Sequence, residues 1–215
     1  MRLFVIVLAA LAAILLAAST LWRRAADRRS LPCPAWLGWL VELDNPILRS
    51  NNARAILARL DLQPGMRVLD FGCGPGRLAI PLAKAVGPLG RVCALDAQEA
   101  MLRRVRKKAE QAGLDNIDLV RAAAGDGAPG QGLYDRAVLA AVLGEVPDRP
   151  ALLGELKDCL KPNGLVCIAE TAADPHFQPR ARVRGLAEQV GFVEQECFGN
   201  RLCFSLILKK PRMPR

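Results

Sequence analysis

The sequence predicts an α/β fold: a seven-stranded, mostly parallel sheet covered by helices on both faces, ending in an antiparallel hairpin and preceded by one membrane-spanning helix. Three observations predict it. From about residue 50 onward, short aliphatic runs alternate with amphipathic segments, the pattern of parallel strands joined by crossover helices. The last two apolar runs, 193–198 and 202–209, are parted only by Gly199-Asn200-Arg201, which leaves room for a hairpin and nothing longer. Ahead of all this, the twenty residues 3–22 carry no formal charge and consist mainly of Leu, Ala, Ile and Val.

As a helix that first run would span about 30 Å, the thickness of a hydrocarbon core. Arg23, Arg24, Arg28 and Arg29 follow it, against Arg2 and the α-amino group in front, so the positive-inside tendency places the C-terminal side in the cytoplasm. Trp22 closes the run where an interfacial residue sits, and the stretch from Ala35 to Val41, with Trp36 and Trp39, suits the headgroup layer. The rival reading is a cleaved signal peptide, since Ala17, Ala18 and Ser19 are small enough for a cleavage site. Four arginines just beyond the run oppose export, as does its length. Residues 1–22 are therefore read as a transmembrane anchor, 23–49 as a basic juxtamembrane linker containing Trp and Pro, 50–209 as one domain and 210–215 as a basic tail.

The domain's elements follow in order. A helix over 54–60 stops at the turn Gln63-Pro64-Gly65. A buried strand over 68–71 runs into a glycine loop and then a helix over 77–86, with Pro81 tolerated in its first turns. Gly87-Pro88-Leu89-Gly90 breaks the chain before a strand at 91–95. The helix over 98–112 buries Met101, Leu102 and Val105 and turns Arg103, Arg104, Arg106, Lys107 and Lys108 largely to solvent. Strands follow at 117–121, 136–142 and 164–170, with helices at 149–160 and 180–190. The hairpin then puts one antiparallel strand at the sheet's edge.

Composition narrows the function. With 215 residues, 52% apolar and 24% charged, the chain supports one domain with a sizeable core and excludes disorder and collagen-like repeats. Residues 1–30 and 209–215 supply +8 of the formal net charge of +9. The near-neutral body disfavours a nucleic-acid groove, while positive charge beside an apolar run suits an anionic membrane surface. Seven cysteines, an odd number without Cys-x-x-Cys spacing, agree with a reducing compartment, and Cys93, Cys159, Cys167 and Cys203 read as small core hydrophobes. No His/Cys/Asp cluster has the spacing of a metal site, so no metal is expected.

The sharpest feature is Val68-Leu69-Asp70-Phe71-Gly72-Cys73-Gly74-Pro75-Gly76, a strand, a glycine loop and the approach to a helix. In an open α/β sheet this turn lies where a nucleotide-like ligand binds beyond the strand ends. Arg77 stands where a dinucleotide fold wants a third glycine of its own spacing, and there is no Lys-Ser/Thr phosphate loop. Asp96, at the end of the second strand, is placed to accept hydrogen bonds from ribose hydroxyls.

With these motifs in order, residues 50–209 resemble class I S-adenosylmethionine-dependent methyltransferases, particularly the small-molecule branch that includes quinone C-methyltransferases. The resemblance implies a Rossmann-like sheet and S-adenosylmethionine as cofactor, with S-adenosylhomocysteine as product. It implies that Asp70 meets the cofactor's ammonium and that Gly72, Cys73, Gly74 and Gly76 pack on its methionine part. It further implies that Asp96 holds the ribose and that Ala97 and Gln98 line the adenosine side. Leu160-Lys161-Pro162-Asn163-Gly164 resembles the turn before the fifth strand, with Asn163 where glycine is usual. Tyr134-Asp135-Arg136-Ala137-Val138 resembles the fourth strand, with Leu139 and Ala140 approaching the sulfonium. Two departures stand out. In Ala122-Ala123-Ala124-Gly125-Asp126, Ala123 occupies the place of an acid that meets the adenine amine, leaving backbone groups of Ala123 and Ala124, or Asp126 by a small shift. Gly144 stands where relatives frequently carry histidine.

Methyl transfer asks a protein to position an in-line nucleophile, exclude water and, for an acidic nucleophile, accept a proton. Candidates beyond the strand ends are Glu145, Glu170, Asp174 and His176, the only histidine. For His176 a general base and a packing role are both open; Glu145 is either a substrate contact or the cap of the helix beginning near Asp148; Glu170 ends a strand facing the pocket. The sequence is thus read as a membrane-anchored, cytoplasm-facing methyltransferase acting on a small, lipophilic acceptor such as a lipid or quinone, with no nucleic-acid partner. A non-catalytic S-adenosylmethionine-binding or scaffold protein is the alternative.

Overall fold

The computed structural model describes residues 51–126 and 130–212. The predicted anchor at 3–22, the linker at 23–49 and residues 213–215 of the basic tail lie outside the described residues. Among those described, no helix is long and apolar enough to cross a membrane.

Helix α1 (Ala53–Leu57) begins at Asn52, whose side chain accepts the Ala55 amide. Strand β1 (Arg67–Phe71) leads through the glycine loop to α2 (Ala79–Val86), then β2 (Arg91–Asp96), α3 (Glu99–Gln111) and β3 (Ile117–Arg121). The second half comprises β4 (Tyr134–Ala140), a 3-10 turn (Leu143–Glu145), α4 (Arg149–Cys159), β5 (Leu160–Thr171), α5 (Arg180–Gln189), β6 (Val193–Gly199) and β7 (Cys203–Lys209). The seven strands lie in the order β3-β2-β1-β4-β5-β7-β6. Strands β1 to β5 pair in parallel, and β7 is antiparallel to both β5 and β6.

The hairpin's predicted place needs correcting. Its antiparallel strand, β7, lies inside the sheet, and the edge strand is β6. The reason is burial: β7 reads Cys-Phe-Ser-Leu-Ile-Leu and is buried along its first six residues, whereas β6 carries Glu194, Gln195 and Glu196 and is mostly exposed. A run apolar on both faces belongs between two strands.

Several boundaries also moved: the first helix ends at Leu57 rather than 60, and β4 and β5 begin at Tyr134 and Leu160 rather than 136 and 164. The second helix starts at Ala79 rather than 77, because Arg77 stays in the turn and its guanidinium donates to the Asn51 carbonyl at 2.6 Å. The fourth strand ends at Ala140 rather than 142, because Ala141 adopts φ of 57°, a left-handed conformation that ends extended pairing. The predicted turn at 160–164 is instead the start of β5, where the pairing with β4 slips between Tyr134 and Arg136; Asn163 stands there at φ of 65°, a conformation that asparagine is among the few residues to tolerate.

Packing places the crevice. One face of the sheet buries Leu69, Leu139, Ile168 and Phe204 under Leu152, Leu153 and Leu156 of α4 and Val183 of α5. The other buries Val68, Val92 and Ile207 under Ile56, Leu82 and Leu102. Cys93, Cys159, Cys167 and Cys203 are buried in these layers as small apolar side chains. Since β2 crosses to one side of β1 and β4 to the other, the chain reverses direction between β1 and β4, which opens a crevice beyond their carboxyl ends.

Candidate active site

The glycine loop sits at that switch point. The amides of Gly72 and Cys73 both donate to the Leu95 carbonyl, at 2.8 and 2.9 Å, which ties the loop to the end of β2. Gly72 has φ of 70°, and a Cβ there would lie 2.3 Å from Cγ2 of Val142. Both facts demand glycine. Gly74, at φ of 51°, would point a Cβ into open space, so this peptide can be approached closely by a ligand.

Asp96 fastens this end of the sheet. Its Oδ2 accepts the Gly74 amide at 2.9 Å and its Oδ1 accepts the Gln98 amide at 2.8 Å, each oxygen keeping a second lone pair. Burial raises its proton affinity, against the two amide hydrogen bonds. Asp70, 2% exposed, lies deeper, and its Oδ2 has no hydrogen-bond partner. Burial pushes its carboxyl up to about 7; Arg77 opposes the rise, Asp96 adds to it and the Ala79 amide opposes it. Two buried carboxyls with lone pairs to spare, close to an open glycine peptide, could hold a ligand that brings hydrogen-bond donors or a positive charge.

The ordinary carboxyl value of 3.8 lies below the folded value of about 7, so the native state binds more protons between them, and stability falls as pH rises through that window. Asp70→Asn, which keeps an acceptor for the Ala79 amide, is expected to stabilise the ligand-free protein by about 1–3 kcal/mol at neutral pH. The same change should weaken binding of a cationic ligand. Melting curves with and without ligand check both halves.

The remaining predicted cofactor residues line the same rim. Ala97 is exposed and Gln98 half-buried at the N-cap of α3. Ala123, on the exposed loop after β3, donates its amide to Oδ2 of Asp126 at 2.8 Å, and the Asp126 amide returns to the Ala123 carbonyl at 3.2 Å. An acid from three residues downstream therefore stands beside the position that lacks one, while Ala124 is half-buried. Ala140 is half-buried at the end of β4, but Leu139 is fully buried within the core facing α4. Strand alternation sends these two side chains to opposite faces.

The structure also gathers the catalytic candidates. His176, 6% exposed, donates its backbone amide to Oδ1 of Asp174 at 2.6 Å and holds Nδ1 at 3.5 Å from the same oxygen. Glu170, 1% exposed, accepts the Gln178 amide on Oε2 at 3.0 Å, and Gln178 Nε2 donates to the His176 carbonyl at 2.8 Å. That carbonyl packs on Gly144, where a Cβ would lie 1.8 Å from the oxygen. Glu145 is half-buried in the 3-10 turn and does not cap α4; Asp148 does, its Oδ1 accepting the Ala151 amide at 3.0 Å. The turn thus joins the two halves of the site: Val142 meets the glycine loop and, two residues on, Gly144 meets the His176 segment.

Gln178 and Arg149 were missed by sequence reasoning. Arg149 braces the turn by donating to the carbonyls of Leu143 and Gly144, both at 3.2 Å. Neither carries a periodic or motif signal, although Gln178 between Phe177 and Pro179 is a polar residue in an apolar setting. Two open grooves, about 790 and 470 Å³, lie on the flank made by α1, α2 and α3; of the predicted cofactor and catalytic residues only Gly76 touches either. Among the described residues no group of three or more His, Cys, Asp or Glu is placed to hold a metal ion.

A family model described as "Methyltransferase domain" matches residues 62–208. The chain is 35% identical over 122 residues to demethylmenaquinone methyltransferase of Geobacillus kaustophilus, covering 57% of this chain and 52% of that protein. It is 31% identical over 126 residues to nocamycin O-methyltransferase of Saccharothrix syringae, covering 59% and 45% respectively. The chain thus spans about half the length of the curated relatives it matches. Among solved structures, a SAM dependent methyltransferase from Aquifex aeolicus superposes with a TM-score of 0.69 at 25% identity, over 78% of this chain and 95% of that one.

Proposed function

The chain belongs to the methyltransferase-domain family, and from that membership we propose that it transfers a methyl group from S-adenosylmethionine to a small, lipophilic acceptor of the quinone type. One observation carries the donor assignment. At the β1/β4 switch point, Asp96 fastens the amide of the open Gly74 peptide, and Asp70, close enough to feel the charge of Asp96, buries an oxygen that has no hydrogen-bond partner. These residues fit the cofactor: Asp70 its ammonium, the Gly72–Gly76 backbone its methionine part, Asp96 its ribose hydroxyls. Gln98 and the Ala123–Asp126 loop suit its adenine end. When bound, the cofactor supplies a methyl group already activated on a cationic sulfur.

The chain's own residues supply the rest. Ala140, Val142 and the turn behind them exclude water and orient the acceptor. Asp174 faces Nδ1 of His176, which favours the tautomer protonated there; Nε2, sealed from solvent in this structure, is then the nitrogen that would take the acceptor's proton once the acceptor has opened a way to it. Support for a quinone-type acceptor comes from the demethylmenaquinone methyltransferases among the relatives. Residues 3–22 would serve as the anchor that holds the domain at the cytoplasmic membrane face, where a membrane-dissolved acceptor meets it at high effective concentration.

The test is transfer of isotopically labelled methyl from S-adenosylmethionine by the full chain in lipid vesicles containing a demethylated naphthoquinol. Expected is a product one methyl heavier. Loss of general-base catalysis in His176→Ala should lower kcat by about 100-fold, with the acid limb of the pH profile lost. Cofactor binding without transfer to quinol, phenol or thiol acceptors would favour the non-catalytic alternative.

A further inference from the structure

Glu170 and His176 are linked through Gln178. Gln178 spends its backbone amide on Oε2 of Glu170 and its side-chain amide on the His176 carbonyl. That leaves Oε1 of Glu170 and Oε1 of Gln178, both sealed from solvent and neither with a hydrogen-bond partner. Buried acceptors without a donor are costly as they stand, and the cost is greatest for an ionised carboxylate. Protonation removes the buried charge of Glu170 and turns one of its oxygens from an acceptor into a donor.

We infer that Glu170 is carried as the neutral acid and, with Gln178, forms a latch that seats the 172–178 segment, and with it His176, against the Leu143–Glu145 turn. Glu170 is then a positioning residue: it acts on His176 through Gln178 and does not itself take the acceptor's proton. This deepens the methyl-transfer reading, in which His176 is the base, but its test does not depend on turnover.

The charged surroundings agree. Asp174 acts on Glu170 from the segment that follows β5, which also carries His176, Glu145 from the 3-10 turn and Arg149 from α4. Burial pushes the carboxyl up to about 8; the Gln178 amide opposes this, Asp174 adds to it, Arg149 opposes and Glu145 adds. The native state therefore binds more protons than the unfolded chain between the ordinary 4.5 and about 8. The group's contribution to stability is whole below that window and lost as pH rises through it.

The experiment compares the full-length wild type, Glu170→Gln and Glu170→Ala by infrared spectroscopy, by melting across neutral to alkaline pH, and by the imidazole resonance of His176. As the chain's only histidine, His176 needs no assignment. Expected is a neutral-acid carbonyl band at neutral pH in the wild type that vanishes in Glu170→Gln. That variant should keep the wild-type His176 signal and gain stability over the wild type as pH rises, while Glu170→Ala displaces the signal. The inference is overturned if the infrared difference shows a carboxylate instead, or if Glu170→Gln displaces His176 as far as Glu170→Ala. Should Glu170→Ala not fold, the infrared and melting comparison of wild type with Glu170→Gln decides alone. Absence of any transferase activity would sink the methyl-transfer reading and leave these results standing.

Discussion

Gly144→Ala is expected to destabilise the protein by about 3 kcal/mol or more, at the upper end of what overpacking a buried site costs. The added Cβ would stand 1.8 Å from the carbonyl oxygen of His176 and 2.7 Å from its carbonyl carbon. Both are backbone atoms, and neither can swing aside as the tip of a side chain can. The His176 carbonyl is also held by Gln178, and the Gly144 carbonyl by Arg149, so relief means separating the turn from the segment. Denaturant unfolding checks this through a lower midpoint, with Gly154→Ala as the control. Gly154 lies within α4 with nothing near its absent Cβ, so alanine there should be neutral or stabilising by about 0.5–1 kcal/mol. If Gly144→Ala melts like the wild type, the packing of His176 against the turn is wrong.

Asp96→Ala is expected to weaken S-adenosylmethionine binding by about a hundredfold, the loss of roughly 3 kcal/mol of charge-assisted hydrogen bonding. Two effects combine. The carboxylate that would accept from the ribose is removed, and the amides of Gly74 and Gln98 lose the acceptor that sets the distance between the glycine loop and α3. Asp96→Asn separates them: one amide oxygen can still hold a backbone donor, so the loop is partly kept while ribose recognition is impaired. Its affinity should fall between those of wild type and Asp96→Ala in a titration. Equal affinity for all three proteins would remove Asp96 from the site.

Much of this was legible in the residues because simple periodicities specify it. Alternating strand and helix patterns gave all seven strands, and the glycine loop was readable because its positive φ at Gly72 and its contact with Val142 admit no other residue. The place of β7 was also written in the sequence, in six successive residues that end up buried beside a polar β6, but the hairpin turn drew attention to pairing rather than to depth. The His176 latch was not legible. Residues 170, 174, 176 and 178 keep a two-residue spacing, but 172–178 form turns rather than a strand, so that spacing puts them on no common sheet face; what brings them together is the fit of an irregular segment over Gly144, a position conspicuous only for lacking a side chain. The helix cap went to Asp148 rather than Glu145 for a related reason: a cap is decided by one local hydrogen bond, which composition does not rank.

If Asp70, Asp96 and the Gly72–Gly76 loop form a donor site, the domain binds the cofactor before any acceptor is present. Calorimetric titration of S-adenosylmethionine and S-adenosylhomocysteine into the full chain tests it most directly. The predicted result is saturable binding of both at a single site, with Asp70→Asn selectively weakening the ligands through their ammonium group. No heat and no shift in melting temperature with a folded protein would contradict it, and would mean that the chain keeps the family's sheet and glycine loop without the family's ligand.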